Sequence, residues 1–276
     1  MIERFSRSWN LVKASATVLG SDKELLVFPV MSAAAALLVA ATFLLPILGL
    51  RLFEGASMGP MGLLLGFAFY LCQYFVIFFF NSALVGAAMI RLEGGDPTVA
   101  DGMRIARSKA GVILGYAAIA ATVGILLKAI EERVGFLGRI ITGLVGAAWT
   151  FATFLVVPVL VAQNIGPVEA VKESASLLKR TWGENLIGNV GIGLTFGLLT
   201  VAAVILGAAL VVAASMLSTP LAIAVAVLAV LAVLLMAVIQ AALSGIYAAA
   251  LYRYAVDGQA PAAFSGGMLQ AAFRPK

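Results

Sequence analysis

Residues 185–252 read NLIGNVGIGLTFGLLTVAAVILGAALVVAASMLSTPLAIAVAVLAVLAVLLMAVIQAALSGIYAAALY and contain no Asp, Glu, Lys or Arg. About 20 apolar residues span a bilayer core of about 30 Å, so this run is long enough for two crossings joined by a turn at Ser218-Thr219-Pro220. Four more charge-free runs occupy residues 25–50, 55–90, 110–127 and 140–168. The pattern predicts an all-α, polytopic integral membrane helical bundle with six transmembrane helices.

The composition excludes several classes of function. Hydrophobic residues make up 63% of the 276 residues and charged residues 11%, where soluble domains carry about 25% charge. Histidine is absent, which removes the commonest metal ligand and general base. The single cysteine, Cys72, lies in an apolar run and is expected to be a small buried hydrophobe. We therefore expect no cofactor, no metal site and no enzymatic activity.

The distribution of basic residues predicts the topology. With six spans, one side of the membrane receives 14 Lys and Arg residues and the other side receives four. The positive-inside rule then places both termini in the cytoplasm. Because the basic residues flank the spans instead of forming a dense patch, nucleic acid is not an expected partner.

We interpret residues 1–276 as one membrane domain. Its spans are predicted near 26–50, 61–90, 110–128, 139–163, 186–217 and 221–251. Helices at the cytoplasmic membrane interface are predicted at 1–20, 97–109, 167–182 and 261–272. Pro158 falls inside the fourth span and is expected to kink it.

Two of the interfacial helices are predicted from hydrophobic periodicity. One apolar stripe consists of Ile2, Phe5, Trp9, Val12, Ala16 and Leu19, and another of Val168, Val171, Ala175, Leu178 and Trp182. The residues expected to contact the membrane interface or a partner are Arg4, Phe5, Arg7, Trp9, Lys13, Lys179, Arg180 and Trp182. Such helices bind anionic lipid with their apolar side down. The alternative is that they only pack on the ends of the bundle and fix its tilt.

Polar residues inside the spans are few and uncharged, which disfavours an ion-driven pump. A passive path could run near Asn81, Pro158, Gln163 and Asn189. An asparagine such as Asn81 more often forms hydrogen bonds between helices than it contacts a ligand.

Several segments resemble a family of prokaryotic polytopic membrane proteins known as a domain of unknown function. They are SWNLVKASATVLGSDKELLVFPV at 8–30, GGDPTVADGMRIA at 94–106, ATVGILLKAIEER at 121–133, AWTFATFLVVPVLV at 148–161 and GPVEAVKESASLLKRTWGE at 166–184. The chain is more distantly similar to the membrane domain that accompanies some glycerophosphodiester phosphodiesterases. The resemblance implies a multi-pass protein of the prokaryotic cytoplasmic (inner) membrane, and it implies neither catalysis nor a substrate.

Three functional classes follow from these observations. The favoured one is a non-catalytic protein that organises lipid or a partner membrane complex through its cytoplasmic amphipathic helices, with membrane lipids, another membrane protein or a second copy of the chain as partners. The alternative is a passive transporter, channel or lipid-moving protein. A membrane-embedded enzyme would need acids or nucleophiles grouped at the interface. Asp96, Asp101 and Glu184 are the cytoplasmic candidates, and no motif supports that arrangement.

Overall fold

A computed structural model describes residues 2–49, 60–182 and 191–258, together with Pro261 and Phe264. All regular structure in these residues is helical, as the sequence predicts. A short 3₁₀ turn covers Lys23–Leu26. The α-helices are α1 Ile2–Ser21, α2 Val27–Gly49, α3 Pro60–Leu92, α4 Val99–Ser108, α5 Ala110–Arg133, α6 Gly135–Ala152, α7 Val156–Ala162, α8 Pro167–Trp182, α9 Gly191–Ser215 and α10 Thr219–Asp257.

Five helical segments are long and apolar enough to cross a membrane. They are Lys23–Pro46, Met61–Leu92, Ala110–Glu132, Gly138–Ala162 and Thr219–Asp257. Within α9, the shorter segment Leu199–Ser215 is also apolar. Five crossings are therefore supported by length and composition, and the sixth stays a prediction. The 39 residues of α10 extend about 58 Å, so this helix is longer than a hydrocarbon core.

The fourth predicted span consists of two helices. α6 ends at Ala152 and α7 begins at Val156, with turns between them. Pro158 lies in the first turn of α7, where it has no N–H to donate to the Phe154 carbonyl. The chain is thus interrupted directly before the proline, as expected for a proline inside a helix.

The α9–α10 connection is a tight turn. The Ser218 hydroxyl accepts a hydrogen bond from the Leu221 N–H (3.4 Å), and Pro220 occupies the first turn of α10. A serine N-cap followed by proline is a strong helix-start signal. The chain turns at residues 216–218, so the turn lies slightly before the predicted Ser218-Thr219-Pro220, and Thr219 and Pro220 already belong to α10.

The buried core lies at one end of the bundle. It joins α1, α4 and α8 to the 3₁₀ turn and to the neighbouring ends of α3, α5, α7 and α10. By contrast, residues 30–46, 61–81 and 215–241 include no buried residue. These outer parts of the helices expose the kind of apolar surface that lipid covers in a membrane.

Candidate functional site

The candidate site is the layer of short helices over the packed end of the bundle. We call α1, the 3₁₀ turn, α4 and α8 the collar. α1 packs against α9 and α10, α4 against α3, and α8 against α5, α6, α7 and α10. The collar therefore contacts most of the predicted spans at one end.

α1 buries one side against the spans. Side-chain burial is described for residues 11–21 of this helix, and the buried ones there are Leu11, Val12, Ala14, Ser15, Val18 and Leu19. Lys13 is exposed, and so is Ala16, which the sequence assigned to the apolar stripe. The buried side includes Ala14 and Ser15 because small residues let α1 lie close to its neighbours.

α4 is fixed at its N-terminus by a capping box. The Thr98 hydroxyl accepts from the Asp101 N–H (3.2 Å), and the Asp101 carboxylate accepts from the Thr98 N–H (3.0 Å). The 3₁₀ turn adds a third contact, since the Glu24 carboxylate accepts from the Val99 N–H (2.9 Å). These bonds use N–H groups that a helix end leaves without partners.

One glycine sets the distance between α4 and the spans. A Cβ on Gly102 would lie 2.5 Å from Phe28 Cζ and 2.7 Å from the Ala83 carbonyl oxygen. Phe28 at the start of α2 is itself 1% exposed. The outer side of α4 carries Arg104 and Arg107, which are exposed.

α8 inserts a hydroxyl into the break in the fourth span. The Leu155 N–H, in the turn between α6 and α7, donates to Ser174 Oγ (3.1 Å). Both residues are fully buried. The bond satisfies a backbone N–H that the interrupted helix leaves free.

The rest of α8 divides into a buried and an exposed side. Ala170, Leu177 and Leu178 are buried with Ser174, whereas Lys179 and Arg180 are exposed. Val168, assigned to the apolar stripe, is also exposed. α8 thus turns its small and apolar residues toward the protein and its cations outward.

A lysine closes the end of α7. Lys109 Nζ donates to the Gln163 carbonyl oxygen (2.9 Å) and to Asn164 Oδ1. A cation at a helix C-terminus satisfies the last carbonyls and is favoured by the helix dipole. The Gln163 side chain in turn donates from Nε2 to the Tyr252 hydroxyl of α10 (3.1 Å).

Arg91 connects α1 to the turn between α3 and α4. Its guanidinium donates to the Ser21 carbonyl oxygen (3.4 Å), to the Gly95 carbonyl oxygen (3.2 Å) and to the Asp96 carboxylate (3.2 Å). Another ion pair joins Glu93 to Arg253 of α10 (2.8 Å). Charged groups of α3, α10 and the α3–α4 turn therefore meet at this edge of the collar, beside the end of α1.

Asp22, between α1 and the 3₁₀ turn, is 7% exposed. One carboxylate oxygen accepts from the Glu24 N–H (3.2 Å), and the other is buried without a hydrogen-bond partner. Burial raises the pKa of this carboxyl, although the Glu24 N–H and the Arg91 charge act in the opposite direction.

The predicted path residues occupy separate packing positions. Asn81 Oδ1 lies 3.4 Å from the position of a Cβ on Gly245 of α10, and Pro158 is buried in α7. Gln163 is bound to Tyr252, as described above. Asn189 lies outside the described residues, as do the side chains of Arg4, Phe5, Arg7, Trp9 and Trp182.

The acids considered for a membrane-embedded enzyme do not converge among the described residues. Asp96 is 97% exposed and pairs with Arg91, while Asp101 belongs to the α4 cap. The Thr98 hydroxyl and the Thr98 N–H lower the pKa of Asp101. Glu184 lies outside the described part of the chain, and the predicted helix 261–272 is covered there only by Pro261 and the buried Phe264. Within the described part of the chain, no three His, Cys, Asp or Glu residues lie close enough together to hold a metal ion.

Sequence reasoning missed Ser174, Lys109, Arg91 and Asp22. Ser174 was missed because its partner, the Leu155 N–H in the break of the fourth predicted span, is not visible in the sequence. The roles of Lys109 and Arg91 could have been suspected from the sequence, since each is a cation that borders an apolar run.

The sequence of residues 60–262 matches the model of a family described as "Family of unknown function (DUF6159)". This is most of the chain, which therefore belongs to that family. The match begins at α3, so it includes α4 and α8 and leaves out α1. No curated protein and no solved structure is significantly similar.

Proposed function

We propose that the protein is a non-catalytic, six-span protein of the prokaryotic cytoplasmic membrane that organises anionic lipid, or a partner membrane complex, through its collar. Both termini and the collar lie on the cytoplasmic side in this proposal. One observation supports it above the others. The collar helices turn their apolar side chains toward the spans and leave exposed cations outside: Lys13, Arg104, Arg107, Lys172, Lys179 and Arg180.

This arrangement changes how the collar would contact lipid. An isolated interfacial helix buries its apolar side in the bilayer. Here the described apolar sides of α4 and α8 are largely used by contacts within the protein. The proposed lipid contacts are therefore electrostatic, at about 1 kcal/mol per Lys or Arg close to an anionic surface, and salt should weaken them.

The experiment is extraction of the full chain in a lipid-preserving polymer, with mass spectrometry of the retained lipids and proteins. The test variant is Lys13→Gln/Lys179→Gln/Arg180→Gln. The matched control is Lys128→Gln/Arg139→Gln, which neutralises exposed cations at the other end of the bundle. Enrichment of anionic lipid that falls in the test variant and not in the control supports the proposal. Equal lipid profiles in all three proteins, with no retained protein partner, would contradict it.

A passive transporter, channel or lipid-moving protein is a second proposal. It is supported by the break between α6 and α7, because discontinuous membrane helices line many transport sites. Flux and lipid-scrambling assays in vesicles test it directly. Activity that is lost in Pro158→Ala and kept in Lys128→Gln would favour this function over the first.

The distant similarity to the membrane domain of glycerophosphodiester phosphodiesterases is compatible with both proposals. In those enzymes the membrane domain accompanies a separate catalytic part. The similarity concerns the membrane helices alone, so it implies neither catalysis nor a substrate. A stoichiometric partner in the mass-spectrometry experiment would make the protein a subunit of a complex. A second copy of the chain would be found by cross-linking in the same polymer particles.

A further inference from the structure

We propose that Asp22 is a proton-binding site whose ionisation moves Arg91 away from the α3–α4 turn and loosens α4. The structure brings together a buried acid with one unpartnered oxygen and a nearby arginine whose other partners lie on a different segment. These features are the two parts of a switch. The inference does not depend on lipid binding by the collar.

The first part is the buried carboxyl. Asp22 is 7% exposed, and only one of its oxygens has a hydrogen-bond partner. An ionised carboxylate accepts bonds at both oxygens, whereas a protonated one carries an O–H on the second. A buried charge without a partner costs much more than a buried neutral acid. The observed surroundings therefore suit the protonated form.

The second part is Arg91. Its guanidinium already contacts Ser21, the residue before Asp22, through the carbonyl oxygen and the hydroxyl (3.4 Å each). Its remaining bonds go to Gly95 and to the highly exposed Asp96. An exposed ion pair contributes little to stability, so a buried carboxylate beside it competes well for the same guanidinium.

Other charged groups around Asp22 define its environment. Glu24 on the 3₁₀ turn and Asp96 after α3 add negative charge, and Arg91 of α3 adds positive charge. Lys23 is adjacent in sequence and exposed. On α10, Arg253 is paired with Glu93 and Asp257, so its charge is already balanced. Arg91 is thus the cation that can pair with Asp22 when Asp22 ionises.

The direction of the pH effect follows from burial. Because burial raises the pKa of Asp22, the folded protein holds this proton at pH values where the unfolded chain has lost it. The contribution of Asp22 to stability is therefore fully present below the ordinary pKa of aspartate and is lost as the pH rises through the folded value. Above that value, Arg91 is drawn to Asp22 and the α3–α4 turn loses its contacts.

The test compares thermal unfolding of the wild type and Asp22→Asn between pH 4 and 8, in the full chain in detergent. The variant keeps an oxygen for the Glu24 N–H and cannot ionise. We expect Tm of the wild type relative to the variant to fall by a few degrees, roughly 3 °C per pH unit at most, as the pH rises. Parallel profiles, or a relative rise, would overturn the proposal.

A second measurement does not depend on stability. In infrared difference spectra between the two ends of this pH range, every carboxyl that titrates contributes a carbonyl band. We expect Asp22→Asn to lose one component of the wild-type band, and we expect the matched control Glu24→Gln to keep that component. Hydrogen exchange of residues 94–99 should also accelerate with pH in the wild type relative to Asp22→Asn. Identical carbonyl bands in the wild type and Asp22→Asn, or equal exchange ratios at all pH values, would contradict the switch.

Discussion

The hydroxyl of Ser174 in α8 accepts a hydrogen bond from the Leu155 N–H, 19 residues earlier in the chain, and so connects α8 to the turn between α6 and α7. We predict that Ser174→Ala destabilises the protein by about 1–3 kcal/mol, since the Leu155 N–H would be buried without an acceptor. Thermal unfolding in detergent measures the loss. Ser176→Ala is the matched control, because Ser176 lies on the same helix and is exposed. Equal Tm values for the two variants would show that the buried bond contributes nothing.

Gly102 is a second position where the addition of a single carbon atom should change stability. We predict that Gly102→Ala costs about 1–3 kcal/mol, because the new methyl group meets Phe28 and the Ala83 carbonyl at distances below van der Waals contact. Gly111→Ala is the control, since a Cβ there meets nothing within 4 Å and alanine favours helix by up to about 1 kcal/mol. The prediction fails if both substitutions change Tm in the same direction in an unfolding assay.

At the scale of the elements, we expect α4 to depend strongly on its cap, because the helix has only 10 residues. The Thr98 hydroxyl and N–H lower the pKa of Asp101, so its ionised carboxylate stabilises the fold above the ordinary pKa of aspartate. This contribution is lost as the pH falls through the lowered value. We predict that Asp101→Asn lowers Tm near neutral pH and that its difference from wild type shrinks on acidification.

Unfolding of wild type and Asp101→Asn between pH 2 and 7 measures this effect. Glu131→Gln, an exposed carboxyl at the other end of the bundle, serves as the control. Hydrogen exchange should localise the loss to the first turn of α4. A constant difference across the whole pH range would exclude the carboxylate as the stabilising group.

The positions of these elements were largely predictable from the sequence. α3 covers Pro60–Leu92 where 61–90 was predicted, since a charged side chain is costly in hydrocarbon and the charges bound each run. The division of the fourth span into α6 and α7 was only partly predictable. Pro158 indicated a kink, but the sequence does not show which neighbour satisfies the freed backbone groups.

The buried sides of α1 and α8 were harder to predict than the helices themselves. A helical wheel selects the arc with the largest apolar residues, and it therefore included Ala16 and Val168. Packing against other helices selects small residues as well, so Ser15 and Ser174 are buried instead. The apolar stripe and the observed buried side differ for a physical reason. Lipid chains can fill the gaps beside large side chains, whereas a neighbouring helix is rigid and approaches closely only where the side chains are small.

At the scale of the whole molecule, the two ends of the bundle differ. Buried side chains concentrate beneath the collar, while long stretches of α2, α3 and α10 contain none. In a bilayer, lipid tails are as apolar as leucine, so those stretches gain little from packing on each other. The collar end is held by hydrogen bonds and ion pairs between segments distant in sequence.

Because the two ends of the bundle differ, the six-span topology can be tested directly by finding which side of the membrane each end faces. In a Cys72→Ser background, we predict that a membrane-impermeant thiol reagent labels Thr219→Cys in intact cells and labels Ala100→Cys and Ser176→Cys only after permeabilisation. All three positions are exposed, so failure to react reports the membrane barrier. Ser176 and Thr219 flank α9, the helix whose crossing is not established by its described length. If α9 did not cross, these two positions would lie on the same side and react alike. Labelling of Ser176→Cys in intact cells would instead place the collar outside, and its cations could then not bind the anionic inner leaflet.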